Sequence, residues 1–231
     1  MKLLLLIITL LFGHTVLGQY RIDPKVQHEF DSLFSLQPED VQQKRYIKGF
    51  DDGFALLLSF KEDTLNRKEF NPPIIDTSIM IVAIDPGTGK ELPDLPGDTA
   101  KYNQWLSCKA TFLKDTLGIS SFFGLFSGLG FSVKVIGGKA FGEFFEYVRG
   151  DKIYRQKLTG TKLSEIQVRA RTENVVLSSI PKRLGDVFYG KATLVTEPFF
   201  RDDDEFKNGY IQKRYTVTYL FTCKVTDGEQ K

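Results

Sequence analysis

From residue 106 onward, apolar and polar side chains alternate with a period of two. Leu106, Cys108, Ala110 and Phe112 alternate with Ser107, Lys109 and Thr111. Phe131, Val133 and Val135 alternate with Ser132 and Lys134, and Ile166, Val168 and Ala170 with Gln167, Arg169 and Arg171. This period marks strands with one face buried. Runs at residues 141–148, 153–158, 175–180 and 187–195 continue the series. The last run places Tyr215, Val217, Tyr219, Phe221, Cys223 and Val225 on one face, with threonines, Lys224 and Leu220 on the other. Residues 79–84 are apolar at both parities, which predicts a central strand. Lys114-Asp115 reads as a tight turn, Gly137-Gly138 as a hairpin, and Arg149-Gly150-Asp151 as the turn between the runs at 141–148 and 153–158. The pattern predicts a mainly β domain, an antiparallel sandwich or barrel of about 8–10 strands.

Before the double proline Pro72-Pro73 the period differs. Asp23 suits a helix cap and Pro24 a first helical position. Val26, Phe30, Leu33 and Phe34 then form one apolar stripe. A second helix is expected from Pro38, Glu39 and Asp40, with Tyr46, Phe50, Phe54 and Leu57 at helical spacing to about residue 60. Gly49 and Gly53 would share one face of that helix and let it pack closely. The first residues, MKLLLLIITLLFGHTVLG, have a positive start, a short apolar run at residues 3–12 and a small residue at the end. That is the layout of an export leader cut after Gly18. The expected organisation is a signal peptide at 1–18, a helical N-terminal region at 19–73, an antiparallel β-domain at 74–226 and a polar tail at 227–231.

Residues 117–133 carry no charge and include Gly124-x-x-x-Gly128. A membrane helix has the required length, but four serines and four glycines leave it too polar to insert well. A short helix over residues 122–129, capped by Ser120 or Ser121, is an alternative. The preferred reading is a pair of strands, with glycines marking a bulge, a bend or a close approach. In that reading Phe122, Phe126, Phe141 and Phe145 are the candidate lining of an apolar ligand pocket.

Charge and composition narrow the chemistry. The 231 residues have a net charge of +2, so nothing attracts the chain to nucleic acid or an acidic membrane surface. Phe is abundant at 20, and this favours pleated sheet. There are two histidines, and His14 lies in the leader. His28 alone can build neither a nucleophile–base pair nor a histidine metal site. Cys108 and Cys223 both fall on apolar strand faces, either bridged or as two buried thiols. No metal and no cofactor are expected. Residues 84–91, Ile-Asp-Pro-Gly-Thr-Gly-Lys-Glu, fail the phosphate-loop pattern at both ends and read as a turn. Arg149-Gly150-Asp151, an adhesion tripeptide elsewhere, reads here as turn chemistry, and the acidic run at 202–205 as a solvated loop. Glu143 and Glu146 lie three apart and cannot share a strand face, although Glu143 follows the parity of Phe141 and Phe145.

The expectation is therefore an exported, non-catalytic module that binds a partner protein or small molecule, or organises an envelope or surface. The leader and the lack of any Asn-x-Ser/Thr acceptor fit a bacterial periplasmic or extracellular protein, and with no cysteine after the apolar run no lipid anchor is expected there. One alternative is a carrier of an apolar small molecule or lipid in a β-barrel or sandwich pocket. The other is a glycan-acting enzyme using Glu143, Glu146 and Glu165, which requires two acids on one concave face roughly 5–10 Å apart.

Overall fold

The alternation is realised as a ring of strands that closes on itself. A computed structural model describes residues 18–37, 39–44, 53–67, 105–124, 127–157, 159–202 and 210–227. Along the chain the strands are β1 (Gly18–Ile22), β2 (Gly53–Arg67), β3 (Trp105–Leu113), β4 (Thr116–Gly124), β5 (Ser127–Ile136), β6 (Lys139–Val148), β7 (Tyr154–Arg155), β8 (Glu165–Leu177), β9 (Val187–Thr196), β10 (Phe199–Asp202) and β11 (Tyr210–Thr226). Two helices, α1 (Lys25–Phe34) and α2 (Glu39–Lys44), precede β2.

Eight strands (β2, β3, β4, β5, β6, β8, β9 and β11) each run antiparallel to the next in chain order. The last then pairs with the first, from Ile211↔Arg67 to Cys223↔Gly53. The result is an up-and-down barrel, the β-architecture that leaves no long free edge. β1 slots between β6 and β8, pairing Gly18 with Ala140 and Tyr20 with Val175. β10 continues the line of β9 along β11 after a break at Glu197 and Pro198, where proline has no N–H to give. β7 pairs outside β10.

Residues 117–124 and 127–133 lie in the β4–β5 strand pair, with Phe123 opposite Leu129 and Gly124 opposite Gly128. Gly137 and Gly138 have φ 54° and 79° and close the two-residue β5–β6 hairpin. Lys114 turns β3 into β4 with φ 55°.

The inward parity of every ring strand supplies one core, including Leu106, Ile119, Phe131, Phe144, Ile166, Leu194, Val217, Tyr219 and Phe221. Outward positions carry Lys109, Lys134, Glu143, Arg169, Arg171 and Lys224. Apolar inside and charged outside is the arrangement of a barrel surrounded by water; a barrel facing lipid has an apolar outer band. Among the described residues no helix is long and apolar enough to cross a membrane.

One patch of the outer wall is apolar as well. Phe54, Leu56, Val176 and Leu220 face outward and are buried beneath Val26, Phe30 and Phe34 of α1. Phe30 is fully covered, with its ring 5.6 Å from Phe34 and 5.5 Å from Tyr189. Burying each such side chain contributes about 1.5–3 kcal/mol. Leu220 thereby explains itself: the lone apolar residue on the threonine face of β11 sits under a helix.

The same double burial corrects the reading of Phe54 and Leu57 as helical. Residues 53–67 are strand β2, so the barrel begins before the boundary placed at residue 73, which itself lies outside the described residues. A strand covered on both faces loses its alternation, and helical spacing can then be drawn through its apolar run. The expected strand at 79–84 and the turn at 84–91 also lie outside the described residues. The runs at 166–171 and 175–180 are one strand, β8, joined through a register shift between Thr172 and Asn174 and ending at Leu177. The expected hairpin across Arg149-Gly150-Asp151 is not formed, because β7 pairs with β10 and not with β6.

Cys108 and Cys223 sit at disulfide distance, their Cα atoms 5.4 Å apart and 115 residues apart in sequence. The bridge ties β3 to β11 where Gly53, the first residue of β2, lies between them. A Cβ on Gly53 would meet the carbonyl oxygens of Thr222 at 2.4 Å and Cys108 at 2.7 Å. Replacing both cysteines by alanine is expected to cost about 2–5 kcal/mol, read as a lower midpoint in urea unfolding. An unchanged midpoint would show that the bridge does not hold the barrel closed.

Candidate functional site

Among the described residues the apolar interior carries one cluster of charged side chains, built by positions that sequence parity alone does not single out. β2 begins with Ala55 and Leu57 in the core. Its register to β11 then slips between Thr218 and Tyr219, leaving Leu58 without a partner. A one-residue slip exchanges the two faces of a strand. Past it, Phe60 packs on the core and Glu62 turns inward, where it is 7% exposed. β6 contributes Glu146, on the parity of Ala140 and Phe144. β11 contributes Lys213 and Tyr215, β10 Arg201, and β7 Tyr154.

These six side chains meet at one end of the interior. Lys213 Nζ lies 2.5 Å from Glu62 Oε1, with both side chains 9% exposed. Tyr215 donates its hydroxyl to Glu146 Oε2 at 3.3 Å. An Arg201 guanidinium nitrogen lies 3.7 Å from Glu146 Oε1. Around them stand aromatic rings centred on Tyr215: Phe60 at 4.8 Å, Phe144 at 5.1 Å and Phe199 at 5.3 Å. Arg201 is the outermost member, with a side chain 34% exposed, against 15% for Glu146. Solvent therefore reaches the cluster past Arg201.

Burial raises the pKa of the Glu146 carboxyl above its ordinary value, against the opposing pull of Arg201, Lys213 and the two tyrosine hydroxyls. Burial and then the negative charge of Glu146 push the Tyr154 and Tyr215 hydroxyls upward, so both stay protonated.

The cluster is incompletely satisfied. Glu62 Oε2 and the Tyr154 hydroxyl are buried without a hydrogen-bond partner of complete geometry. The Tyr219 hydroxyl, deeper in the barrel beside Phe131 and Phe221, is likewise unpartnered. Buried polar atoms are nearly always paired, by protein, water or ligand. The two carboxylates are each opposed by a cation, Glu62 by Lys213 and Glu146 by Arg201. Among the described residues no group of three His, Cys, Asp or Glu side chains comes together.

Three of the four phenylalanines expected to line a pocket, Phe122, Phe141 and Phe145, lie outside the barrel core. On β6 the inward parity belongs to Ala140, Phe144 and Glu146, so Phe141 and Phe145 point outward, and Phe141 is 37% exposed. Phe122 also lies on the outer wall, its ring nearly parallel to those of Phe145 at 5.6 Å and Tyr147 at 6.0 Å. Phe126 lies outside the described residues. The reason is a choice of parity: the aromatic pair Phe144-Phe145 offers a ring to either face, and the buried member is Phe144. The glycine of the close-approach reading is Gly130, in register with both Phe122 and Phe145. A Cβ there would meet the tip of the Phe145 ring at 2.1 Å.

Of the acids considered for carboxylate chemistry, Glu143 lies on the outer wall, paired with Lys134 at 2.8 Å, and Glu165 is exposed. They do not share a face with Glu146. His28 is exposed on α1. Asp202 pairs with Lys162, and residues 203–205 of the acidic run lie outside the described residues. Glu62, Arg201 and Lys213 went unnoticed in the sequence. The available signal was a charged residue at an inward parity, visible for Lys213 beside Tyr215 and for Glu146 beside Phe144. For Glu62 the bulge hides it. No family model, no characterised protein and no solved structure matches the chain.

Because the native state holds the Glu146 proton to higher pH than the unfolded chain does, the unfolded state releases it first. Stability therefore falls as pH rises above the ordinary carboxylate value. Glu146→Gln is expected to remove that slope. Melting temperatures of the two proteins should diverge in favour of the variant as pH rises above the ordinary carboxylate value of 4.5, and parallel curves would show that Glu146 ionises freely. On the outer wall, Gly130→Ala is expected to displace Phe145 and cost about 1–3 kcal/mol in chemical denaturation.

Proposed function

We propose that the chain is an exported, non-catalytic binding protein that holds a small molecule at the Glu62–Glu146–Arg201 end of its barrel. The observation that carries this reading is a buried cluster of two carboxylates and two cations with unpartnered polar atoms inside an otherwise apolar core. Such a cluster contributes little to stability, since apolar residues of similar volume commonly serve as well or better. Its unpartnered Glu62 oxygen remains available to accept a hydrogen bond. Eight-stranded barrels have interiors sized for their own side chains or for one small ligand. The leader-like first residues and the cysteine pair fit an oxidising compartment, periplasmic or extracellular. The aromatic rings around Tyr215 would hold the apolar part of the bound molecule, a different lining from Phe122, Phe141 and Phe145.

The reading is tested by screening metabolite-sized compounds for thermal stabilisation of the purified protein and by native mass spectrometry for a retained molecule. A ligand at a hundredfold excess over its Kd is expected to raise the melting temperature by about 5–10 °C. That gain should be lost in Arg201→Ala, read as the difference in melting temperature of that variant with and without the compound. A bare mass together with no stabilising compound would overturn it.

A further inference from the structure

We infer that the molecule held at this end of the barrel is a small zwitterion with an apolar body, its ammonium on Glu62 and its carboxylate on Arg201. The inference rests on the binding reading above and adds the chemistry of the ligand.

It follows from which hydrogen-bonding capacity is spent and which is spare. Lys213 is committed to Glu62 Oε1, and the second oxygen, Oε2, has no partner although the residue is 7% exposed. That oxygen accepts and cannot donate, so it calls for an N–H or O–H on the ligand. Arg201 approaches Glu146 with one nitrogen at 3.7 Å, beyond hydrogen-bond distance. Its side chain is 34% exposed, so a carboxylate arriving from solvent can reach the guanidinium, and a carboxylate is the group that such a planar fork takes by two parallel bonds. The Tyr154 hydroxyl, buried in the same cluster and turned toward Glu146, keeps its oxygen lone pairs to accept from an ammonium.

The charge balance favours the same answer. The cluster holds two carboxylates, one ammonium and one guanidinium. A lone cation entering it meets Lys213 and Arg201, and a lone anion meets Glu62 and Glu146. A molecule carrying one charge of each sign leaves the balance unchanged and meets an opposite charge at each end. The rings of Phe60, Phe144 and Phe199 around Tyr215 supply an apolar wall beside these groups.

Four probes with one body and different head groups test this by titration calorimetry on the purified protein: L-phenylalanine with both charges, phenethylamine with the ammonium alone, hydrocinnamate with the carboxylate alone, and phenethyl alcohol with neither. L-Phenylalanine is expected to bind at least about tenfold more tightly than any of the other three. Glu62→Gln should bring it to the level of hydrocinnamate, and Arg201→Gln to that of phenethylamine. If either singly charged probe binds the parent protein as tightly as L-phenylalanine, the zwitterion assignment is overturned, whatever the variants do. If none of the four binds while another compound stabilises the protein in an Arg201-dependent way, the assignment falls and the binding reading stands. If nothing binds at all, both fall.

Discussion

Everything in this molecule depends on the pairing of its last strand with the first strand of its ring. β11 and β2 lie side by side over thirteen registered residue pairs, and they are the two longest strands. Without that contact the other strands would form an open antiparallel sheet with two bare edges, and the apolar side chains of its inner face would have nothing to face. Closure turns one sheet face into a core. It also brings together residues from opposite ends of the chain, among them Glu62, Lys213 and Tyr215. The cysteine pair stands at the end of this seam, where β11 runs past Gly53 to meet β3 directly.

Closure constrains the seam in a second way. A ring strand needs only its inner face to be apolar, yet β2 and β11 are apolar on both faces over part of their length. The helix α1 lies across that stretch and covers Phe54, Leu56 and Leu220. The ion pair between Glu29 and Lys191 fastens the helix to β9. The N-terminal segment is thus part of the barrel wall, with β1 filling the gap between β6 and β8 and α1 sealing the neighbouring face. The opposite wall, around Gly130 and Phe145, is closed by its own rings instead.

The polar end of the interior follows from irregularity in the same seam. Thirteen pairs between two long strands cannot stay in strict alternation where the register slips twice, at Gln212/Lys213 and at Thr218/Tyr219. Beyond the second slip the faces of β2 are exchanged, which sends Glu62 inside. A carboxylate held there acquires an ammonium from the neighbouring strand, and a second carboxylate, Glu146, draws Arg201 and Tyr215 toward it. A regular strand would have left Glu62 in water.

By itself the sequence determined the period-two segments, the turns at Lys114 and at Gly137-Gly138 and the amphipathic stripe of α1, while for residues 117–133 it left a strand pair and a short helix both open. Each is a local property: the parity of a strand and the stripe of a helix are written in spacings of two to four residues. It also placed both cysteines on inward faces. Only the tertiary structure decided that the series closes into a barrel, that residues 53–67 join it as a strand, and which member of Phe144-Phe145 is buried. Those outcomes depend on what covers a face from far along the chain. Burial of both faces erases the alternation of β2, and a bulge, which has no spacing of its own, reverses it before Glu62. The site was hidden for the same reason, because its charges are contributed by four strands that meet only when the ring has closed.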